Sequence, residues 1–234
     1  MSLYLLILIL SFIVPATLSF DSKLRFWKMW PSVLPAIIAS AAFFITADIF
    51  FTEKGIWGFN PRYHSNVILA GLPLEEWLFF ILIPYSCLFI HYVYRLYSGD
   101  RKLTEGASKL ISFIFIAAML VLVIKFHDRT YTLFNSILTI VLISVTFLLK
   151  KDVLSSLYIS FLIMLVPFFL VNAILTGTFI ENEVVWYSKE AITGARILTI
   201  PVEDFWYSFN LVLMNLLINE SIRNYNFEKA GTVK

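Results

Sequence analysis

The sequence predicts an all-α polytopic membrane protein of seven transmembrane helices, built as two parallel three-helix repeats joined by one extra helix. Three observations predict it. Apolar stretches recur along the whole chain, 59% of its 234 residues being hydrophobic and only 15% charged. The mean hydropathy of +0.82 lies outside the range of soluble globular domains. One acidic motif occurs twice, at Pro73 and again 128 residues later at Pro201, each time at the head of an apolar run.

A bilayer is crossed by about 20 apolar residues in a helix. Unpaired backbone groups in lipid leave helices as the only spanning form for such runs, so strands are set aside. The first span, 3–20, lacks a basic leader and a small-residue cleavage site, and reads as a retained helix and not a signal peptide. The others are placed at 32–51, 77–94, 110–124, 133–149, 153–175 and 205–218, the fourth and the last being short.

At the motif offset the second span falls on the sixth and the first on the fifth, which leaves the fourth over. A three-helix unit ends on the opposite side of the membrane from its start, so fusing two directly would invert the second. One extra crossing restores parallel orientation, as in transporters whose repeats share an axis along the membrane normal. The division is then 1–98 for the first repeat, 99–130 for the connecting segment with its helix, and 131–234 for the second repeat and tail. Both acidic motifs fall on one face.

Loop charge orients the chain. Twelve basic residues (among them Lys23, Arg25, Arg95, Arg101, Lys150, Lys151, Arg223, Lys229 and Lys234) lie on one side, against six on the other, from Lys54 and Arg62 to Arg196. The N-terminus is therefore placed outside and the C-terminus in the cytoplasm, in a cell inner membrane.

Cys87 is the only cysteine, which excludes an internal disulfide and a cysteine-rich metal site, and it reads as a buried thiol. His64, His91 and His127 lack metal spacing and read as interfacial residues, so no metal is expected. No glycine-rich dinucleotide fingerprint is present, and no nucleic-acid partner is expected.

In each motif a proline suits the first turn of a helix, and the acids that follow it, Glu75 and Glu76 or Glu203 and Asp204, meet the positive end of the helix dipole. Capping alone accounts poorly for two copies, each followed by aromatics. Acids at membrane depth are costly and usually functional. Adjacent acids also lie about 100° apart on a helix, so one can face a cavity while its neighbour caps. Asp48, late in the second span, and Asn172, at a comparable place in the sixth, extend the polar set, and a difference between them would leave only one half as the working site. In the loop "GIWGFNPRYH", Asn60 and Arg62 are candidates to cover the cavity mouth or orient a carboxylate, Asp48 being one partner for Arg62. Trp57 and Tyr63 read as interfacial anchors. Arg196 is placed to pair with Glu203 or Asp204.

"GIWGFNPRYHSNVILAGLPLEEWLFF" and "ARILTIPVEDFWYSF" resemble the two halves of the membrane-integral carotenoid (lycopene) cyclases, a family found as paired small subunits or one fused chain. The resemblance covers nearly the whole chain. It implies an intramolecular lyase or isomerase that closes the linear ends of lycopene into the β-rings of β-carotene. Such a reaction needs a protonated carboxyl, a base, and π-faces for a transient cation. Glu75, Glu76, Glu203 and Asp204 supply the carboxyls, with Glu76 or Asp204 as proton donor and Glu75 and Glu203 as partners. Trp77, Phe80, Phe205 and Tyr207 supply aromatic faces. Lycopene and membrane lipid are the implied partners, with other enzymes of carotenoid biosynthesis beside them, and no cofactor is implied.

Other classes fit less well. A retinal photoreceptor needs a lysine in the last span, and 205–218 has none. A prenyltransferase needs Asp-rich motifs, where this chain offers the isolated Asp48. A proton-coupled transporter with parallel repeats is the main alternative, with Pro84 and Pro167 to break its helices, but its acids would lie at helix starts and the chain has only 8 glycines.

Overall fold

Ser2 opens the first helix: its side chain accepts from the Leu5 amide at 3.2 Å and caps α1, Leu3–Leu18. A computed structural model describes residues 1–149 and 152–231, with side chains through Asn224. After α1 come a short 3₁₀ turn (Phe26–Met29) and α2 (Trp30–Glu53). The strands β1 (Trp57–Phe59), β2 (Ile68–Leu69) and β3 (Leu72–Pro73) then lead into α3 (Leu74–Tyr97). One helix, α4 (Glu105–Lys125), stands alone. The opening order of elements then recurs: α5 (Thr130–Leu148), α6 (Val153–Leu175), β4 (Val185–Tyr187), β5 (Arg196–Ile197), β6 (Ile200–Pro201) and α7 (Val202–Gly231).

The helices are apolar outside and polar inside, the reverse of a soluble bundle. On α4, Phe113, Val121 and Ile124 are exposed while Ser108 and Ser112 are buried. On α5 the buried face carries Thr132, Asn135, Ser136 and Thr139, and Ile137 and Val141 point outward. Small and hydroxylated residues between helices, with large apolar ones outside, are what a hydrocarbon solvent selects. Among the described residues five helices, α2 to α6, are long and apolar enough to cross a membrane. The chain is an integral membrane protein. The fourth and seventh helices run beyond the apolar cores that mark them in the sequence, because Thr104 caps α4 before its charged first turn and α7 continues through Asn219 and Arg223.

Helix α1 packs on α3 and α5 on α7, while α2 lies against α7 and α6 against α3. The segments on either side of α4 are thus interlocked. Interior prolines leave carbonyls unpaired, and neighbours compensate: Pro15 frees the carbonyl of Ser11, which accepts from Ser86 Oγ on α3 at 3.0 Å.

Strands were set aside as spanning elements, yet six short ones shape the loops. Ile68–Leu69 and Leu72–Pro73 form a tight hairpin whose turn residues, Ala70 and Gly71, have φ of 49° and 80°, the backbone that a two-residue hairpin loop requires. The hairpin places Pro73 one residue earlier than the sequence reading had it: its ψ of 147° makes it the extended residue before α3 and not part of the first turn. Strands β1 and β4 pair antiparallel, Trp57 with Tyr187, Gly58 with Trp186 and Phe59 with Val185. Gly58 and Trp186 are themselves 128 residues apart, so equivalent positions meet at the ribbon's centre, the pattern a two-fold relation produces. A side chain at Gly58 would lie 2.4 Å from the Trp186 ring, so the indole fits only because its opposite number has none. Of the loop charges used for orientation, Lys150, Lys151 and Lys234 and the side chain of Lys229 lie outside the described residues.

Candidate active site

The hairpins β2–β3 and β5–β6 aim two consecutive acids of each motif in different directions. Glu75 turns to the loop before it, accepting from the Ser65 amide at 2.7 Å and from Ser2 Oγ at 2.7 Å. Glu203 does the same with the Thr193 amide at 2.7 Å and Thr132 Oγ1 at 2.6 Å. These two carboxylates tie the start of the motif helix to its loop and to the start of α1 or α5. Their neighbours point inward. Glu76 accepts from Tyr4 at 2.6 Å and Asp204 from Tyr131 at 2.9 Å, all four residues being buried.

Beyond this shared plan the two sides differ. Asp48 on α2 accepts from Tyr207 on α7 at 2.7 Å, and both it and Glu76 are buried on the wall of one cavity. Asp204 takes a second phenol, from Tyr187 at 2.9 Å. At the motif offset Tyr187 corresponds to Phe59, Tyr207 to Phe79 and Thr176 to Asp48, so neither the second phenol nor the third acid is repeated. Burial, with the Asp204 carboxylate beside it, holds the Tyr187 phenol well above its ordinary pKa, so it remains a neutral donor.

Glu76, Asp48 and Asp204 line the polar end of one cavity of about 170 Å³. Its remaining walls are mostly apolar and run along α3 from Phe79 to Ile90 and along α6 from Phe161 to Leu175, with Pro15 of α1 and Leu211 of α7. Fourteen residues of helix, as between Glu76 and Ile90, span about 21 Å, so the cavity is long and follows the helix axes. Trp57 roofs the acids, its ring edge-on to Tyr131 with centroids 4.9 Å apart and to Tyr187 and Tyr207 at 6.0 Å.

The residues singled out in the sequence divide. Asp48, Glu76, Asn172, Asp204 and Tyr207 come together on the cavity wall. Glu75 and Glu203 stand just behind it. Asn60 donates to the Glu183 carbonyl at 3.2 Å and shapes the loop. Arg62 meets neither Asp48 nor any motif acid, because its exposed side chain pairs with Glu181 at 2.7 Å. Arg196 likewise bonds the Thr199 carbonyl and not Glu203 or Asp204. Trp77 donates to the Leu69 carbonyl at 3.1 Å, Phe80 stacks on Phe44 behind Tyr207, and Phe205 packs edge-on to Phe161.

Several residues expected at the interface are internal. Trp57 is a buried wall of the cavity and Tyr63 is buried, donating to the Glu181 carbonyl at 2.5 Å. His91 is buried in α3 against Ser160 at 2.8 Å, and His64 is buried beside its own loop. Cys87 is half-buried and faces the cavity.

Sequence reasoning missed Tyr4, Tyr131 and Tyr187. The first two carry a signal, since each is the second residue of its helix and they recur 127 residues apart, in step with the acids they bond. Tyr187 carries none, because it reaches Asp204 by way of the β1–β4 pairing.

A family model described as lycopene cyclase matches residues 1–94 and 128–222. No curated protein and no solved structure matches the chain. Matched across both acidic motifs and most of its length, the chain belongs to the lycopene cyclase family.

Proposed function

We propose that the protein is a lycopene β-cyclase, an isomerase that folds the linear ends of lycopene into the β-rings of β-carotene. The observation that carries this reading is the meeting of Asp48, Glu76 and Asp204 with four phenols on the wall of a long, mostly apolar cavity. A polyene has no charged group to hold, so apolar walls must position it and the acids must act on its terminal double bond.

Ring closure begins with proton transfer from a carboxyl to that double bond. The resulting cation is attacked by the neighbouring double bond, which forms the ring, and a carboxylate then removes a different proton to leave the ring olefin. One proton enters and one leaves, so no electrons are gained or lost. The faces of Trp57, Tyr131 and Tyr207 surround the acids and are suited to shelter the cation. Glu76 and Asp204 are the carboxyls that act on the substrate in this reading, while Glu75 and Glu203 hold the two motif helices in register. No flavin is required.

The same reading takes the segments 1–98 and 131–234 as parallel three-helix repeats, with α4 in 99–130 as the crossing that keeps them parallel, giving seven spans in a cell inner membrane with the N-terminus outside. The recurring element order and the pairing of Gly58 with Trp186 support it. The transporter alternative gains nothing from the family match.

Purified protein in detergent, given lycopene anaerobically without added flavin, should form β-carotene. Recovery of unchanged lycopene from folded protein would overturn the assignment.

A further inference from the structure

The two motif acids occupy equivalent positions and have different surroundings. Asp204 accepts two phenols, from Tyr131 and Tyr187, both at 2.9 Å. Glu76 accepts one, from Tyr4, and shares the cavity wall with the buried Asp48 carboxyl. Two carboxylates cannot donate to each other. Two buried carboxyls in one pocket therefore hold a proton between them, whereas two neutral donors, one on each oxygen of Asp204, suit an anion.

The difference traces to single residues. At the 128-residue offset Tyr187 has Phe59 as its counterpart, and Asp48 has Thr176. Where the C-terminal segment keeps a phenol, the N-terminal segment has an acid.

Resting on the cyclase reading above, we propose that the Asp48–Glu76 pair delivers the proton that starts ring closure and that Asp204 removes the proton that ends it, with Tyr187 as the positioning residue that fixes where Asp204 takes it. The pair gives one proton to the terminal double bond, the neighbouring double bond closes the carbon–carbon bond of the ring, and the Asp204 carboxylate takes one proton from a carbon beside the cation. The substrate is isomerised, and the proton held on Asp204 returns to the pair before the next turnover. Asp48, Glu76 and Asp204 line one cavity, so the proton can return within it.

Which carbon loses its proton decides where the ring double bond lies. A residue that orients Asp204 is therefore a determinant of ring type. Tyr187 is well placed for it, because it is carried on the ribbon that joins the two loops and is set by the pairing with Trp57.

The test measures ring formation and the position of the ring double bond in parallel for membranes of the native protein and of Tyr187→Phe, Asp48→Asn and Asp204→Asn, each normalised to the protein present. Phenylalanine already stands at the equivalent place, so Tyr187→Phe should fold. It is expected to slow cyclisation about tenfold, the loss of one hydrogen bond to a charged group, and to yield rings with the double bond displaced. Asp48→Asn should form no ring of either kind, and what product Asp204→Asn still forms should carry a displaced double bond. A single native isomer at native rate from Tyr187→Phe, or native activity from Asp48→Asn, overturns the assignment of roles. Should Tyr187→Phe fail to accumulate, native product from Asp204→Asn overturns it as well. Absence of rings from the native protein would instead remove the cyclase reading itself.

Discussion

Tyr207 donates its phenol to Asp48 at 2.7 Å across 159 residues of sequence, joining α7 to α2 at the polar end of the cavity. The bond exists because α2 packs on the motif helix of the opposite segment and not on its own alone. Neither segment holds the acid cluster by itself.

Separating the two should therefore abolish activity that their reunion restores. Residues 1–98 or 99–234 expressed singly in a lycopene-producing host should give no rings, and co-expression should restore β-carotene. Ring formation by either piece alone would show that one motif suffices.

The consecutive acids of each motif should respond differently to loss of charge. Glu76→Gln and Asp204→Asn are expected to cut β-carotene yield at least a hundredfold while leaving thermal stability within about 1 kcal/mol, the removal of an acid or base from the reacting centre. Glu75→Gln and Glu203→Gln remove the charge from bonds to backbone amides and should destabilise by about 1–2 kcal/mol, with activity recovered at lower temperature. Yield and melting temperature measured on all four variants check both halves of this statement.

Gly58→Ala puts a methyl group against the Trp186 indole, 2.4 Å from its nearest atom. Overpacking of this kind costs about 1–3 kcal/mol, and Trp186→Ala in the same chain should recover most of it. Melting curves of the single and double variants give the comparison, and additive losses would mean that the two residues do not conflict.

Orientation in the membrane is accessible by labelling. In a Cys87→Ser background, single cysteines in the loop between α2 and α3 should react with an impermeant thiol reagent from outside, and those between α3 and α4 only after the membrane is opened. The opposite pattern would reverse the chain while leaving both motifs on one face.

Isotope incorporation reports on the reaction whatever the roles of single residues. Cyclisation in heavy water should place about one solvent deuterium in each ring, provided the acid exchanges between turnovers. Rings free of deuterium would show that the attacking proton does not exchange with water between its return from Asp204 and the next turnover.

Local sequence carried the helices and both motifs, because span length, apolar content and a Pro-x-acid-acid pattern depend on neighbours in the chain. It also carried the split within each motif, since adjacent residues on a helix point about 100° apart. The strands escaped it because two- and three-residue pairings depend on which loops meet. For the same reason Arg62 and Arg196 were matched to buried acids by proximity in sequence, when exposure leaves them to Glu181 and to the Thr199 carbonyl. The asymmetry of the site was decided by tertiary structure alone. Tyr187 reaches Asp204 only because β4 pairs with β1, and Asp48 meets Tyr207 only because α2 packs on α7. A carboxyl's role depends on the donors around it. Those donors come from three helices and a strand that the chain brings together only on folding.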